Sequence, residues 1–237
     1  MRRFTLKRED TKTKKIIKAR PNLDKDLIAK FREMENVLSL SCVVADAQDR
    51  DNVMRTYMKP RTGRKKIIGP AFTVKLTAGD LIDYLDVFKQ IKAGDVLVVD
   101  AFGETETSVL GGLMAGLCRA AGVVGAVVDG SVRDTDEARM LGFPVYAKAV
   151  GPRSTHSPGS QRMEPYEFNT PIVCAGVAVD PGDLIVADEI GITVVPQEDM
   201  AKVYEKAKKQ AAVEEAARKE ILKGKTIEEL LAQFGRL

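Results

Sequence analysis

GGLMAGLCRAAGVVGAVVDGSVRDTDEARMLGFPVYAK, residues 111–148, is the stretch whose reading decides the fold. GGLMAGLCRAAG has the composition and spacing of a helix. Residues 124–129 are a short apolar run ending in Asp129, which reads as a strand buried on both faces. Residues 134–140 read as a second helix and residues 143–150 as a second strand. Alternating helix and strand, followed by clustered strands, points to α/β layers with a mixed sheet.

The same grammar extends upstream. VLVVD, 96–100, follows an Ala93-Gly94-Asp95 turn and is another continuous apolar run. Asp80 can cap a helix whose Leu81, Leu85 and Phe88 share a face. IIGPAFTVKL, 67–76, is β-rich and interrupted by Gly69-Pro70. Further back, Leu27, Phe31 and Met34 mark a helix opening near Asp24, and residues 41–52 suggest another.

Downstream, 151–171 reads as a long loop rich in Gly, Pro and Ser. Residues 172–179, 184–187 and 192–195 follow as three short strands, closed by Pro196. A long helix begins near Gln197, with Met200, Val203, Tyr204, Ala207 and Ala211 on one stripe. Thr226 and Glu229 fit a capping box. They open a last helix with Ile227, Leu230, Leu231 and Phe234 at helical spacing. The expected fold class is α/β: a layered mixed sheet flanked by helices, with helical N- and C-terminal extensions. The expected organisation is a basic arm, 1–20, and one domain, 21–237. AGDVLVVD (93–100) echoes PGDLIVAD (181–188), which a shared turn-strand device explains as well as a repeat does.

Composition narrows the chemistry. With 44% hydrophobic residues in 237, the chain can bury a sizeable core. No apolar run approaches a membrane span and no signal-like segment opens the chain, so the expectation is a cytoplasmic protein. Cys42, Cys118 and Cys174 are far apart without a CxxC, which argues against disulfides and structural zinc. Cys118 and Cys174 are expected to be packed rather than reactive. His156 is the single histidine, set in a loop where solvation is its ordinary role, so a metal here needs oxygen ligands: Mg²⁺, Mn²⁺ or Ca²⁺. The net charge of +3 hides a split: 1–20 carries +7, KPRTGRKK (59–66) carries +5, and the rest carries −9. No aromatic interleaving accompanies the basic residues, so nucleic acid is not the expected partner despite the basic arm.

Three apolar strands end in aspartate: Asp100, Asp129 and Asp188. Carboxylates at strand ends can hold a hard cation, and equally can cap the next turn. Arg133-Asp134 is the weightiest pair. Arginine offers a planar fork to a carboxylate or enolate oxygen, and the adjacent aspartate can take Mg²⁺. Thr135, Asp136 and Glu137 make this helix start acid-rich, which the macrodipole alone would favour. Gly111-Gly112-Leu113-Met114 opens a helix directly, so backbone N–H groups there can meet a small carboxylate. Close helix packing would explain the glycines too.

Taken together, IGPAFTV, GDVLVVD, the 111–148 block and GVAVDPGDLIVADEIGITVVP resemble the RraA-like superfamily over about residues 67–196. That group contains the regulator of ribonuclease E activity and the class II aldolases acting on 4-hydroxy-4-methyl-2-oxoglutarate and 4-carboxy-4-hydroxy-2-oxoadipate. The resemblance implies a swivelling β/β/α fold and a homotrimer or homohexamer with sites between subunits. It also implies a divalent-metal-dependent lyase that cleaves or decarboxylates a 2-oxo acid through a pyruvate enolate. Carried onto this chain, Arg133 and Asp134 are the implied catalytic residues. Arg133 binds the pyruvyl portion, and Asp134 ligates Mg²⁺ or Mn²⁺. Gly111, Gly112 and the N–H groups of Leu113 and Met114 form the carboxylate cradle. Asp188 or Glu189 would add an outer carboxylate from a neighbouring subunit. The aldolases usually carry an acid at the place of Gly112, 21 residues before Arg133; here it is glycine. The alternative is a non-catalytic RraA-like regulator of RNA processing that binds a protein partner. Methyl transfer is not expected, because no glycine-rich loop and ribose-binding acid follow the first strand.

Overall fold

The structure is a computed structural model that describes residues 15–77, 84–155 and 166–235. Asp80, Leu81, His156 and the first fourteen residues of the basic arm lie outside the described residues.

In chain order, β1 (Lys15–Ile17) leads to helices α1 (Lys25–Glu33) and α2 (Leu40–Ala47). The sheet strands begin with β2 (Lys59–Pro60) and β3 (Ile67–Lys75). Helix α3 (Tyr84–Gln90) connects to β4 (Val96–Asp100) and β5 (Ser108–Leu110). The deciding block forms α4 (Gly112–Ala120), β6 (Gly125–Val132), α5 (Thr135–Met140) and β7 (Val145–Val150). Short strands follow: β8 (Tyr166–Phe168), β9 (Ile172–Cys174), β10 (Val177–Val179), β11 (Leu184–Ala187) and β12 (Ile192–Val195). Helices α6 (Met200–Leu222) and α7 (Ile227–Phe234) close the chain.

The main sheet runs β1-β8-β3-β4-β6-β7-β2. Strands β3, β4, β6 and β7 are mutually parallel; β8 and β11 pair antiparallel with β3, and β2 antiparallel with β7. The mixed α/β sheet is therefore as expected. Strand alternation sorts the core. Leu97, Val99, Ala126 and Val128 pack with Ala115 and Cys118 of α4 and Ala138 of α5. Val96, Val98, Val127 and Tyr146 pack on the other face with Ile172, Cys174, Ile185 and Val194. A third cluster joins α1, α2 and α6, where Phe31 meets Tyr204 edge-on at 5.4 Å. Asp24 caps α1 by accepting from Leu27 N, and Thr226 and Glu229 form the capping box of α7.

Several boundaries differ from the sequence reading, and β6 is one of them, running on to Val132 past the expected end at Asp129. Strand β3 runs straight through Gly69-Pro70, because it changes partner there. Residues 67–70 pair with β11 and 71–75 with β4, so Pro70 needs no ladder donor towards β4. Residues 172–179 are not one strand but a hairpin, turned at Ala175-Gly176 with both φ positive. The helix expected over 41–52 stops at Ala47, and Asp49, Arg50 and Asn52 then take left-handed backbone. The 151–171 loop contains β8, which pairs in parallel with Lys15–Ile17 from the end of the basic arm.

Candidate functional site

Strand β6 delivers Arg133 and Asp134 past its end, and α4 starts beside them. Asp134 sits at φ +52°, a left-handed conformation that Asp tolerates better than most residues. Such backbone costs on the order of 1–3 kcal/mol and is kept where surrounding structure fixes it. Here it turns the carboxylate back onto the start of α4. Asp134 Oδ2 accepts from Gly112 N at 3.2 Å and lies 3.4 Å from Arg133 Nε.

The two glycines make that approach possible. A Cβ at Gly111 would lie 2.8 Å from Asp134 Oδ2 and 3.1 Å from Arg133 Nε. A Cβ at Gly112 would fall on the carboxyl group of Glu137, 2.5 Å from its Cδ. Glu137 is therefore folded over Gly112, in the space a side chain there would fill. It stands three residues after Asp134, on the same face of the helix start. The first main-chain bond of α4 is Ala115 N to Gly111 O at 3.0 Å. The N–H groups of Leu113 and Met114 precede it and have no intrahelical acceptor, as at any helix start.

These groups line a cavity of about 160 Å³ with Ser108, Val109, Ser154 and Thr155. The Ser108 hydroxyl bonds Gly151 O at 2.7 Å and shares a 3.0 Å contact with Ser131 Oγ, while Ser108 N bonds Arg153 O at 2.8 Å. Those bonds hold segment 151–155 as the far wall. Within one chain the cavity thus gathers Gly111, Gly112, Leu113, Met114, Arg133 and Asp134.

Asp188 and Glu189 do not line this cavity. Asp188 is buried; its Oδ1 accepts from Ser41 Oγ at 2.7 Å and Ile190 N at 3.0 Å, and its Oδ2 from Ser41 N at 2.9 Å. With both oxygens engaged and turned inward, Asp188 is a structural tie between α2 and β11. Glu189 is at the surface, 3.1 Å from Arg64.

Asp129 does not end its strand, because β6 continues to Val132, and it and the strand-end Asp100 are also engaged. Asp100 caps its turn through Phe102 N at 2.9 Å, and Asp129 accepts from Ala175 N at 2.7 Å and the Tyr57 hydroxyl at 3.3 Å. Burial, with Asp129 nearby, pushes the Asp100 carboxyl up from its ordinary value. Burial likewise raises the Cys118 thiol to about 12 and the Cys174 thiol well above its usual range. Both are packed, unreactive cysteines.

Among the described residues no group of three or more His, Cys, Asp or Glu side chains has metal-ligand geometry. Asp134 lines the cavity with an oxygen donor of the kind that suits a hard cation completed by water or a second subunit, and Glu137 lies against Gly112. Ser154 and Thr155 line the cavity and Glu137 stands over Gly112, three residues beyond the candidates the sequence offers. The only available signal was the spacing of Glu137 three residues after Asp134.

The description Aldolase/RraA, that of the RraA-like family, matches residues 41–194. A relative from Halalkalibacterium halodurans, provisionally named 4-hydroxy-4-methyl-2-oxoglutarate aldolase, is 34% identical over 83% of this chain and 89% of its own. A Thermus thermophilus protein named 4-hydroxy-4-methyl-2-oxoglutarate aldolase is 30% identical over 65% of this chain and 90% of its own. The solved RNA-processing inhibitor RraA from Thermus thermophilis superposes with a TM-score of 0.58 and 30% identity, covering 66% of this chain and 92% of that one. No helix among the described residues is long and apolar enough to cross a membrane. With its layered mixed sheet and a family match over most of its length, the chain belongs to the RraA-like family.

Proposed function

We propose that the chain is a divalent-metal-dependent carbon–carbon lyase that releases pyruvate from a 2-oxo acid by retro-aldol cleavage or decarboxylation. The observation that carries this reading is the convergence of Arg133, Asp134 and Glu137 on the start of α4, where unbonded amides face a small cavity. The names of the aldolase relatives support the reaction class.

The residues divide the chemistry as follows. The N–H groups of Leu113 and Met114 bind the substrate carboxylate at the positive end of α4. Asp134 would hold Mg²⁺ or Mn²⁺, partly through water. When bound, the cation supplies Lewis-acid stabilisation of negative charge on the 2-oxo oxygen. Arg133 donates to the same oxygen and gains strength as charge develops there. In the aldol case, Glu137 takes the proton from the substrate hydroxyl. The carbon–carbon bond then breaks towards the keto group, leaving a carbonyl product and the pyruvate enolate. Protonation of the enolate carbon completes the balance. In decarboxylation the departing carboxylate leaves as carbon dioxide, and no hydroxyl proton is taken. No Schiff-base lysine is needed.

Leu113, 76% exposed at the cavity lip, is an apolar side chain that a neighbouring subunit would cover. This exposure supports the proposal that the site stands at a subunit boundary of a trimer or hexamer. A second reading, a non-catalytic regulator, draws on the name of the solved inhibitor and on the glycine at 112. A pyruvate-coupled assay over 4-hydroxy-2-oxo acids and oxaloacetate separates the two. Metal-dependent turnover supports the lyase, and silence across the panel with Mg²⁺ and Mn²⁺ supports the regulator.

A further inference from the structure

The opposite end of the sheet carries a separate cationic groove. It lies where the chain enters β3, β4, β6 and β7, far from the strand ends that present Arg133. Two adjoining cavities, of about 360 and 730 Å³, meet at Arg32. Arg32, Lys65, Lys66 and Arg119 line the first, and Arg20, Lys25, Arg32 and Lys92 the second. Only two acids join them. Asp95 is held by Arg20 through a two-pronged ion pair, and Glu35 makes no ion pair among the described residues.

The cations at the junction are fixed by neutral partners. Arg32 Nε donates to Ile68 O at 3.2 Å and Nη2 to Gly94 O at 2.9 Å. Lys66 Nζ donates to Glu35 O at 2.6 Å and Val37 O at 2.5 Å. Carbonyl oxygens hold these side chains in place without cancelling their charge. Arg32 Nη1 and one N–H of Lys66 remain unbonded among the described residues. Gly94 holds φ +89°, a left-handed backbone that favours glycine, and presents its carbonyl to Arg32. Lys25, Lys65, Lys92 and Arg119 are exposed and make no ion pair among the described residues.

Immobilised, uncompensated cations around a concavity are an anion site. Two cavities sharing one guanidinium match a ligand with two linked anionic groups, bridged at Arg32. The lining holds no exposed aromatic ring on which a base could stack, so charge alone is recognised. We propose that this groove binds an oligophosphate, a small ligand carrying at least two linked phosphoryl groups. The proposal is independent of the lyase reading.

The test is isothermal titration of the full chain with inorganic diphosphate, orthophosphate and a 12-nucleotide single-stranded RNA at fixed salt. Saturable binding of one diphosphate per chain, tighter than orthophosphate, is expected. Lys65→Ala with Arg119→Ala should weaken it by at least tenfold, about what one lost charge-assisted hydrogen bond is worth. Both side chains are exposed, so thermal unfolding and pyruvate release should stay at wild-type level, and a matched Lys30→Ala control should bind normally. Absent diphosphate binding, an unchanged affinity in the double variant, or RNA bound where diphosphate is not would each overturn the proposal.

Discussion

The carboxyl group of Glu137 occupies the space that a side chain at Gly112 would take. The acid that the family resemblance leads one to expect on α4 is absent here, and an acid from α5 stands in that space. Glu137→Gln should therefore lower kcat by about 100-fold or more, the scale of a lost general base, with a smaller effect on KM. Steady-state pyruvate release checks this.

Moving the carboxylate between the two positions is a sharper probe. Gly112→Asp alone should lose activity, because the new side chain collides with Glu137. Gly112→Asp combined with Glu137→Ala should recover part of it, since the same space again holds an acid. Kinetics of the three variants decide whether the two positions are interchangeable.

Asp134 links metal affinity to stability. Mg²⁺ in hundredfold excess over its dissociation constant stabilises a binding-competent protein by about 2.7 kcal/mol. The wild-type chain should show that gain in thermal unfolding. Asp134→Asn, which keeps the side-chain shape and tolerates the left-handed backbone, should show little of it.

Ser41 and Asp188 test structure without chemistry. Ser41→Ala removes the hydroxyl from a buried carboxylate and should cost about 2 kcal/mol in urea unfolding. The remaining kcat should be that of the wild type, because neither residue lines the cavity.

Asp183 sets a pH dependence. Burial raises its carboxyl to about 6 in the folded state, against backbone hydrogen bonds from Asp180 and Gln197 that pull it down. The unfolded chain loses this proton first, so ionisation favours unfolding. The associated stability is full below the ordinary carboxylate value and falls away as pH rises through about 6. Urea unfolding from pH 4 to 7 should show this decline, and Asp183→Asn should flatten it.

Much of this was written locally in the chain. The capping box at Thr226 and the alternation through 111–148 need only near neighbours, so they can be read directly. Arg133-Asp134 and Gly111-Gly112 were visible as motifs, with the resemblance supplying their meeting. What escaped depends on long-range packing or on side chains that mean two things. Glu137 at a helix start satisfies the macrodipole whether or not it serves a site. Asp188 looks like a strand-end ligand until Ser41, 147 positions away, is seen to bind it. Ala175 gives no warning that it will take positive φ in a hairpin, as Asn or Gly would.

The central claim is that Arg133 stabilises an enolate formed in a metal-dependent cleavage. It is tested most directly by pyruvate release from 4-hydroxy-4-methyl-2-oxoglutarate and oxaloacetate, with Mg²⁺ and with chelator, in wild type and Arg133→Ala. The account predicts turnover abolished by chelator and restored by Mg²⁺, with kcat/KM in Arg133→Ala reduced by about 3 kcal/mol of transition-state stabilisation. Full activity in the Arg133→Ala variant, or turnover indifferent to chelator, would contradict it.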